Sequence, residues 1–145
     1  MNAAEQLEIR SFQQEDAEAV IALWTACGLV VPWNDPYKDI ARKESVLPEL
    51  FLVGCLAGRV VAVVMAGYDG HRGQVNYLAV EPALQGGGVG RRLMDEVEAR
   101  LRVMGCPKIN LQVRSSNTGV LAFYERLGFV VNETVSLGKR LEADD

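Results

Sequence analysis

Gln85-Gly86-Gly87-Gly88-Val89-Gly90 lies between an apolar stretch and an amphipathic one, and it restricts the fold more than any other passage of the chain. Upstream, Tyr77-Leu78-Ala79-Val80 reads as the end of a strand, which Glu81-Pro82 terminates because proline cannot donate to a ladder. Downstream, Val89, Leu93, Val97 and Leu101 recur every fourth residue, and Met94 and Met104 widen the stripe. Arg91, Arg92, Asp95, Glu96, Glu98, Arg100 and Arg102 occupy the other face, and Gly105-Cys106-Pro107 closes the helix with a glycine cap and a stop. A glycine-paved turn therefore delivers a strand into a helix. The first N–H groups of a helix have no partner inside it, and with the helix dipole they form an anion site. Missing side chains let a phosphate approach the backbone, although glycines also serve plain tight turns.

The spacing excludes two common phosphate loops. A Walker loop needs Lys-Ser/Thr after its last glycine, where Arg91-Arg92 stand. A dinucleotide fingerprint needs glycine or alanine where this chain has Arg91 or Leu93. What remains, Gln-x-x-Gly-x-Gly on a strand–loop–helix, resembles the pyrophosphate loop of the GNAT superfamily of acetyl-CoA-dependent N-acetyltransferases. A second segment resembles the same family. Ile109 to Val113 alternates like a strand, Ser115-Ser116-Asn117 offers cap residues, and Val120, Phe123, Tyr124 and Leu127 share a helical face before Gly128-Phe129. Asn117, Tyr124 and Gly128-Phe129 fall on the family pattern Asn-x-x-Ala-x-x-x-Tyr-x-x-x-Gly-Phe, with Val120 in place of the alanine. Pro32 to Pro36, Tyr68 to Gly73 and Leu137 to Leu141 are similar to the small bacterial YpeA-type acetyltransferases.

Composition sets outer bounds. With 145 residues, the chain is expected to form one domain over 1–145, long enough to bury roughly 70% of its unfolded surface. A hydrophobic content of 49% and a charged content of 23% are ordinary for a soluble globular protein. The formal charge of −4 and the lack of a basic run give no support for nucleic-acid binding. Cys27, Cys55 and Cys106 are widely spaced and odd in number, and His71 is the only histidine. This argues against a disulfide framework or a metal site and for a reducing, cytoplasmic setting. The first residues lack a basic and apolar leader, and no apolar run reaches membrane-spanning length.

The elements are expected in the order β-α-α-β-β-β-α-β-α-β. They comprise a strand at Leu7–Phe12, a helix from Glu15-Asp16 to Trp24, and a short helix from Asp35-Pro36 to about Val46. Strands follow at 51–56, 60–68 and up to Val80, then the long helix, a strand at 108–113, a helix at 118–127 and a last strand around Val135–Leu141. This order matches the resembled family. The fold class it implies is α+β in three layers, with a mixed central sheet whose parallel strands splay apart between flanking helices.

The resemblance also implies roles. The main chain of Leu78, Ala79 and Val80 would pair with the pantetheine arm of acetyl-CoA, and an N–H near Leu78 would face the thioester oxygen. The amides of Gln85, Gly86, Gly87, Gly88, Val89 and Gly90 would hold the diphosphate, so that a β-branched residue at Gly88 or Gly90 should block the site. Arg91 or Arg92 would reach outer phosphates or remain a solvated face. Asn117 would hold the cofactor or merely cap its helix. Tyr124 would protonate the departing thiolate, its other reading being an ordinary core tyrosine. The base stays open among Glu81, Asp69, His71 and, through water, Asn76. Trp33, Asn34 and Asp35 would line the acceptor pocket, with Asp35 attracting a cationic amine or serving as a helix cap. The implied reaction is acetyl transfer to a primary amine, preferably of a small molecule. A protein N-terminus or lysine is the alternative acceptor, and a non-catalytic acyl-CoA-binding or nucleotide-binding domain the alternative class. A homodimer is common in this fold, but no residue specifies its interface.

Overall fold

The computed structural model describes residues 1–144. Five strands form one sheet in the order β1-β2-β3-β4-β5: β1 (Glu8–Ser11), β2 (Phe51–Leu56), β3 (Arg59–Tyr68), β4 (Gly73–Val80) and β5 (Ile109–Leu111). The first four pair antiparallel, and β5 runs parallel to β4. The helices are α1 (Ala3–Gln6), α2 (Ala17–Ala26), α3 (Pro36–Glu44), α4 (Val89–Val103) and α5 (Thr118–Arg126).

Both faces of the sheet are covered, which explains why β2 and β3 read as nearly unbroken apolar runs. On one face Val89, Leu93, Met94, Val97 and Leu101 of α4 pack over Leu52, Ala62, Val64, Ala66 and Val75. On the other, Val20, Leu23 and Trp24 of α2 and Ile40 of α3 pack over Phe51, Val53, Val63, Met65 and Ala79. The two faces alternate along β2 and along Ala62–Ala66 of β3, as the pleat requires.

A buried ion pair fixes the entry to α2. Asp16 is 5% exposed and accepts from both terminal nitrogens of Arg10, at 2.7 and 2.9 Å, and from the Gln13 N–H at 2.8 Å. The hydrogen bonds from Arg10 hold the Asp16 carboxyl below its ordinary range, against the opposing effect of burial. Its contribution is therefore complete above the unfolded pKa near 4 and fades as pH falls through the lower folded value. Asp16→Ala is expected to cost about 1–3 kcal/mol, below the figure for a wholly buried pair because Arg10 is partly solvated. Urea unfolding at pH 7 measures this cost, and the difference from wild type should shrink toward pH 2.

Two elements depart from expectation. The helix α1 was not anticipated, although Asn2 caps it by accepting the Glu5 N–H at 2.9 Å. The last strand, around Val135–Leu141, does not form: among the described residues no strand follows β5. With β5 only three residues long, the tail has little edge to pair with, and Val135, Leu137 and Leu141 are each more than 80% exposed. Side chains hold the tail instead. Asn132 Nδ2 donates to Asn110 Oδ1 at 3.1 Å, and Gln112 Nε2 donates to Ser136 Oγ. At its end Asp144 accepts from Arg42 at 2.7 Å and from the Asp35 N–H at 2.9 Å.

Candidate active site

β4 and β5 pair over only three positions, Gly73 with Ile109, Gln74 with Asn110 and Val75 with Leu111. Beyond Val75, β4 runs on to Val80 without a β5 partner, which opens a gap in the sheet. The gap coincides with a β-bulge. Asn76 pairs with Met65 and Ala79 with Val63, so Tyr77 and Leu78 together oppose Val64. Tyr77 takes φ +57°, unusual for an aromatic residue, and its surroundings hold it there. Its ring stacks on Trp24 at 4.1 Å, its carbonyl accepts Trp24 Nε1 at 3.2 Å, and its hydroxyl donates to Asp39 at 2.6 Å. Burial first, and then Asp39, raises the Tyr77 phenol well above its ordinary range, so it holds its proton. The bulge turns the main chain of Leu78 out of the β3 register beside the gap.

The glycine loop lies at the end of the same strand. Among the described residues, no N–H of Gly86, Gly87, Gly88, Val89 or Gly90 donates to a protein carbonyl; the Arg92 N–H does, to Gly88 at 3.0 Å. Gly86 and Gly88 adopt φ +83° and +91°, which explains the demand for glycine there. Gly90 has a different reason. A Cβ on it would lie 3.1 Å from the Phe123 ring and 3.5 Å from Val80, so its bareness lets α4 approach α5 and β4. A larger residue at 90 thus acts on packing, whereas at 88 it acts on the loop itself. Gln85 folds back, its Nε2 donating to the Val80 carbonyl at 3.0 Å, and the Cys27 thiol donates to that carbonyl too, at 3.3 Å. The Val80 carbonyl is thereby occupied. Arg91 and Arg92 donate to the carbonyls of Arg126, at 3.1 Å, and Leu7, at 3.4 Å, tying α4 to its neighbours.

Helix α5 brings Tyr124 to the β5 side of the gap. Asn117 caps this helix by accepting the Val120 N–H at 3.3 Å, which leaves its amide nitrogen without a protein partner among the described residues. Tyr124 is 7% exposed and sits edge-on to Phe123 at 5.0 Å and Phe129 at 5.4 Å. Its hydroxyl has no protein partner among the described residues, yet no buried polar side-chain atom there is left unpaired. Tyr124 lines a cavity of about 1040 Å³ that runs from Gln74 past Leu111, Gln112 and Val113 to the tail at Ser136; neither Leu78–Val80 nor the glycine loop lines it. Desolvation pushes its pKa up to about 12.

The other residues singled out from sequence are dispersed. Glu81 is paired with Arg59 at 2.6 Å, beyond the bulge. Asp69 accepts the N–H groups of His71 and Arg72, both at 2.7 Å, in its own turn, and these bonds hold its carboxyl below the ordinary range. His71 is exposed beside Arg72. Trp33 is 55% exposed, and Asp35 caps α3 by accepting from Tyr37 and Lys38. Only Asn34 of that trio lines a cavity beside the bulge, about 550 Å³, with Asp39, Arg42, Lys43, Asn76 and Tyr77. Asp39, Arg42 and Lys43 went unread because a polar helical face passes for solvated surface; their i, i+3, i+4 spacing on a face flanking buried Ile40 was the available signal.

A model of the acetyltransferase (GNAT) family matches residues 7–129, and the chain belongs to that family. It is 49% identical over 138 residues to acetyltransferase YE1169 of Yersinia enterocolitica, covering 95% of this chain and 98% of the relative. Identity to acetyltransferase ECA0875 of Pectobacterium atrosepticum is likewise 49% over 138 residues, with the same shares covered. Among solved structures, Ard1 of Thermoplasma volcanium superposes with a TM-score of 0.79 at 26% identity, covering 88% of this chain and 84% of that one. The PaiA N-acetyltransferase of Thermoplasma acidophilum, solved in complex with coenzyme A, shares the fold with a TM-score of 0.69 at 21% identity, covering 89% and 92%.

Proposed function

We propose that this acetyltransferase moves the acetyl group of acetyl-CoA to a primary amine of a small molecule by direct attack on the thioester. The observation that carries the reading is the run of N–H groups at 86–90 that have no protein acceptor among the described residues, just beyond the stretch of β4 that β5 does not pair. Those amides hold the diphosphate, the free edge of β4 holds the pantetheine arm, and the Leu78 N–H faces the thioester oxygen. One such donor typically contributes about 3–4 kcal/mol to the transition state. The acceptor is assigned to the hollow of about 550 Å³ at the bulge, which is open to solvent, and the turnover panel below decides the acceptor's size.

In the reaction the amine nitrogen forms the new C–N bond, the C–S bond breaks, and the thiolate takes its proton from Tyr124. The nitrogen loses a proton to water or a carboxylate. Glu81 and Asp69 are poorly suited to accept it, one being bound to Arg59 and the other to its own turn. A phenol near 12 is a weak acid toward a solvated thiol near 8.5. The apolar wall that raises Tyr124 also raises a thiolate formed against it, which narrows the gap.

Tyr124 stays protonated across the working range, so the pH profile is set by the amine. We expect kcat/KM to rise with pH toward the acceptor's own pKa and to show no alkaline fall below about pH 11. The test is thioester consumption across amines, amino acids, polyamines and N-terminal peptides, with coenzyme A and ATP compared by calorimetry. Tight ATP binding without coenzyme A binding, or turnover with peptides alone, would overturn the reading.

A further inference from the structure

The cavity beside the bulge has an unusual charge balance. Arg42 is spent on carboxylates, reaching Asp39 at 3.0 Å and Asp144 at 2.7 Å, and the second oxygen of Asp39 accepts the Tyr77 hydroxyl at 2.6 Å. Lys43 differs. It is half-buried, and among the described residues no carboxylate lies within 4.0 Å of its ammonium. Among the described residues its one acceptor is the Val46 carbonyl, at 2.9 Å. An ammonium carries three donors, so two remain for a ligand. Withdrawal from water lowers the Lys43 pKa, and nearby Glu49 only partly offsets this. A desolvated cation without a counter-ion is costly, and a ligand anion would relieve that cost. Asn76, exposed at the mouth of the same cavity immediately before Tyr77 and Leu78, has no side-chain hydrogen-bond partner among the described residues.

We infer that Lys43 and Asn76 form an anion subsite, so that the preferred acceptors are primary amines carrying a carboxylate or phosphate group. The inference rests on the acetyl-transfer reading and adds the substrate class to it. Lys43 and Asn76 hold the anion beside the bulge, and the amine reaches from there toward the thioester at Leu78. Of the two roles open to Asp35 from sequence, the structure shows the cap of α3, and the anion subsite is separate from it.

Two measurements separate the subsite from the reaction. In the first, the isotopically labelled protein saturated with coenzyme A is titrated with inorganic phosphate and with acetate. Saturable shifts of the Asn76 side-chain amide that disappear in Lys43→Met support the subsite. Absent shifts, or shifts unchanged in the variant, overturn it whatever the turnover. In the second, turnover is compared within pairs that differ in the anion: 5-aminovalerate against pentylamine, and O-phosphoethanolamine against ethanolamine. The anionic member should be preferred at least tenfold in kcat/KM, the better pair telling carboxylate from phosphate. Lys43→Met should lower that preference at least tenfold through KM, and Lys43→Arg should restore most of it. Equal use of both members, or a fall in kcat alone, would contradict the inference. Phosphate-dependent shifts with no amine consumed would support the subsite while refuting amine acetylation.

Discussion

Tyr124→Phe is expected to lower kcat by about 10²–10⁴-fold, the usual contribution of a positioned acid. Coenzyme A affinity should stay within about threefold, because the lost atom faces the thiolate only when it forms. The fold should not suffer. The hydroxyl has no protein partner among the described residues, and the ring contacts with Phe123 and Phe129 survive the change. Unfolding by urea should give a midpoint equal to wild type or slightly higher, since removal of an unpaired, mostly buried polar group relieves desolvation. Single-turnover kinetics are the right readout, as slow product release can mask the chemical step. Wild-type chemistry in this variant would return Tyr124 to the role of a core tyrosine.

Gly88→Val should act on binding instead. At φ +91° a β-branched side chain is strained by about 1–3 kcal/mol, and its Cβ would meet Ala4 of α1 at 3.4 Å. The loop escapes that strain by leaving the conformation that aims its amides outward. Coenzyme A affinity is expected to fall about 10–100-fold, in line with 1.4 kcal/mol per decade. Pantetheine, which lacks the diphosphate, should lose much less, and calorimetry with both ligands distinguishes a damaged loop from a damaged fold. Gly90→Val is the useful contrast. The space it invades belongs to Phe123, so its first effect is overpacking between α4 and α5, about 1–3 kcal/mol of stability.

Local rules made much of the fold legible. The four-residue apolar repeat of α4, the alternating or continuous runs of β2 to β4, and the Asp35-Pro36 start of α3 each carry their own physical signature. The glycine loop was legible because positive φ and close approach both demand glycine, although sequence alone could not separate Gly88, which needs the conformation, from Gly90, which needs the space. What escaped depends on long-range partners. The tail Val135–Leu141 alternates like a strand, but a strand needs an edge, and β5 is too short to provide one. The bulge at Tyr77-Leu78 is invisible in sequence because Trp24 and Asp39, far along the chain, hold it. Lys43 looks like any surface lysine until the absence of a carboxylate beside it among the described residues is seen.

The central claim is that the amides of residues 86–90 grip the diphosphate of coenzyme A. Its most direct test is to titrate ¹⁵N-labelled protein with coenzyme A and follow those five backbone resonances. They should move together, saturate with the dissociation constant found by calorimetry, and stay nearly still when pantetheine is used instead. Coenzyme A that binds with equal affinity while those resonances remain unmoved would contradict the account.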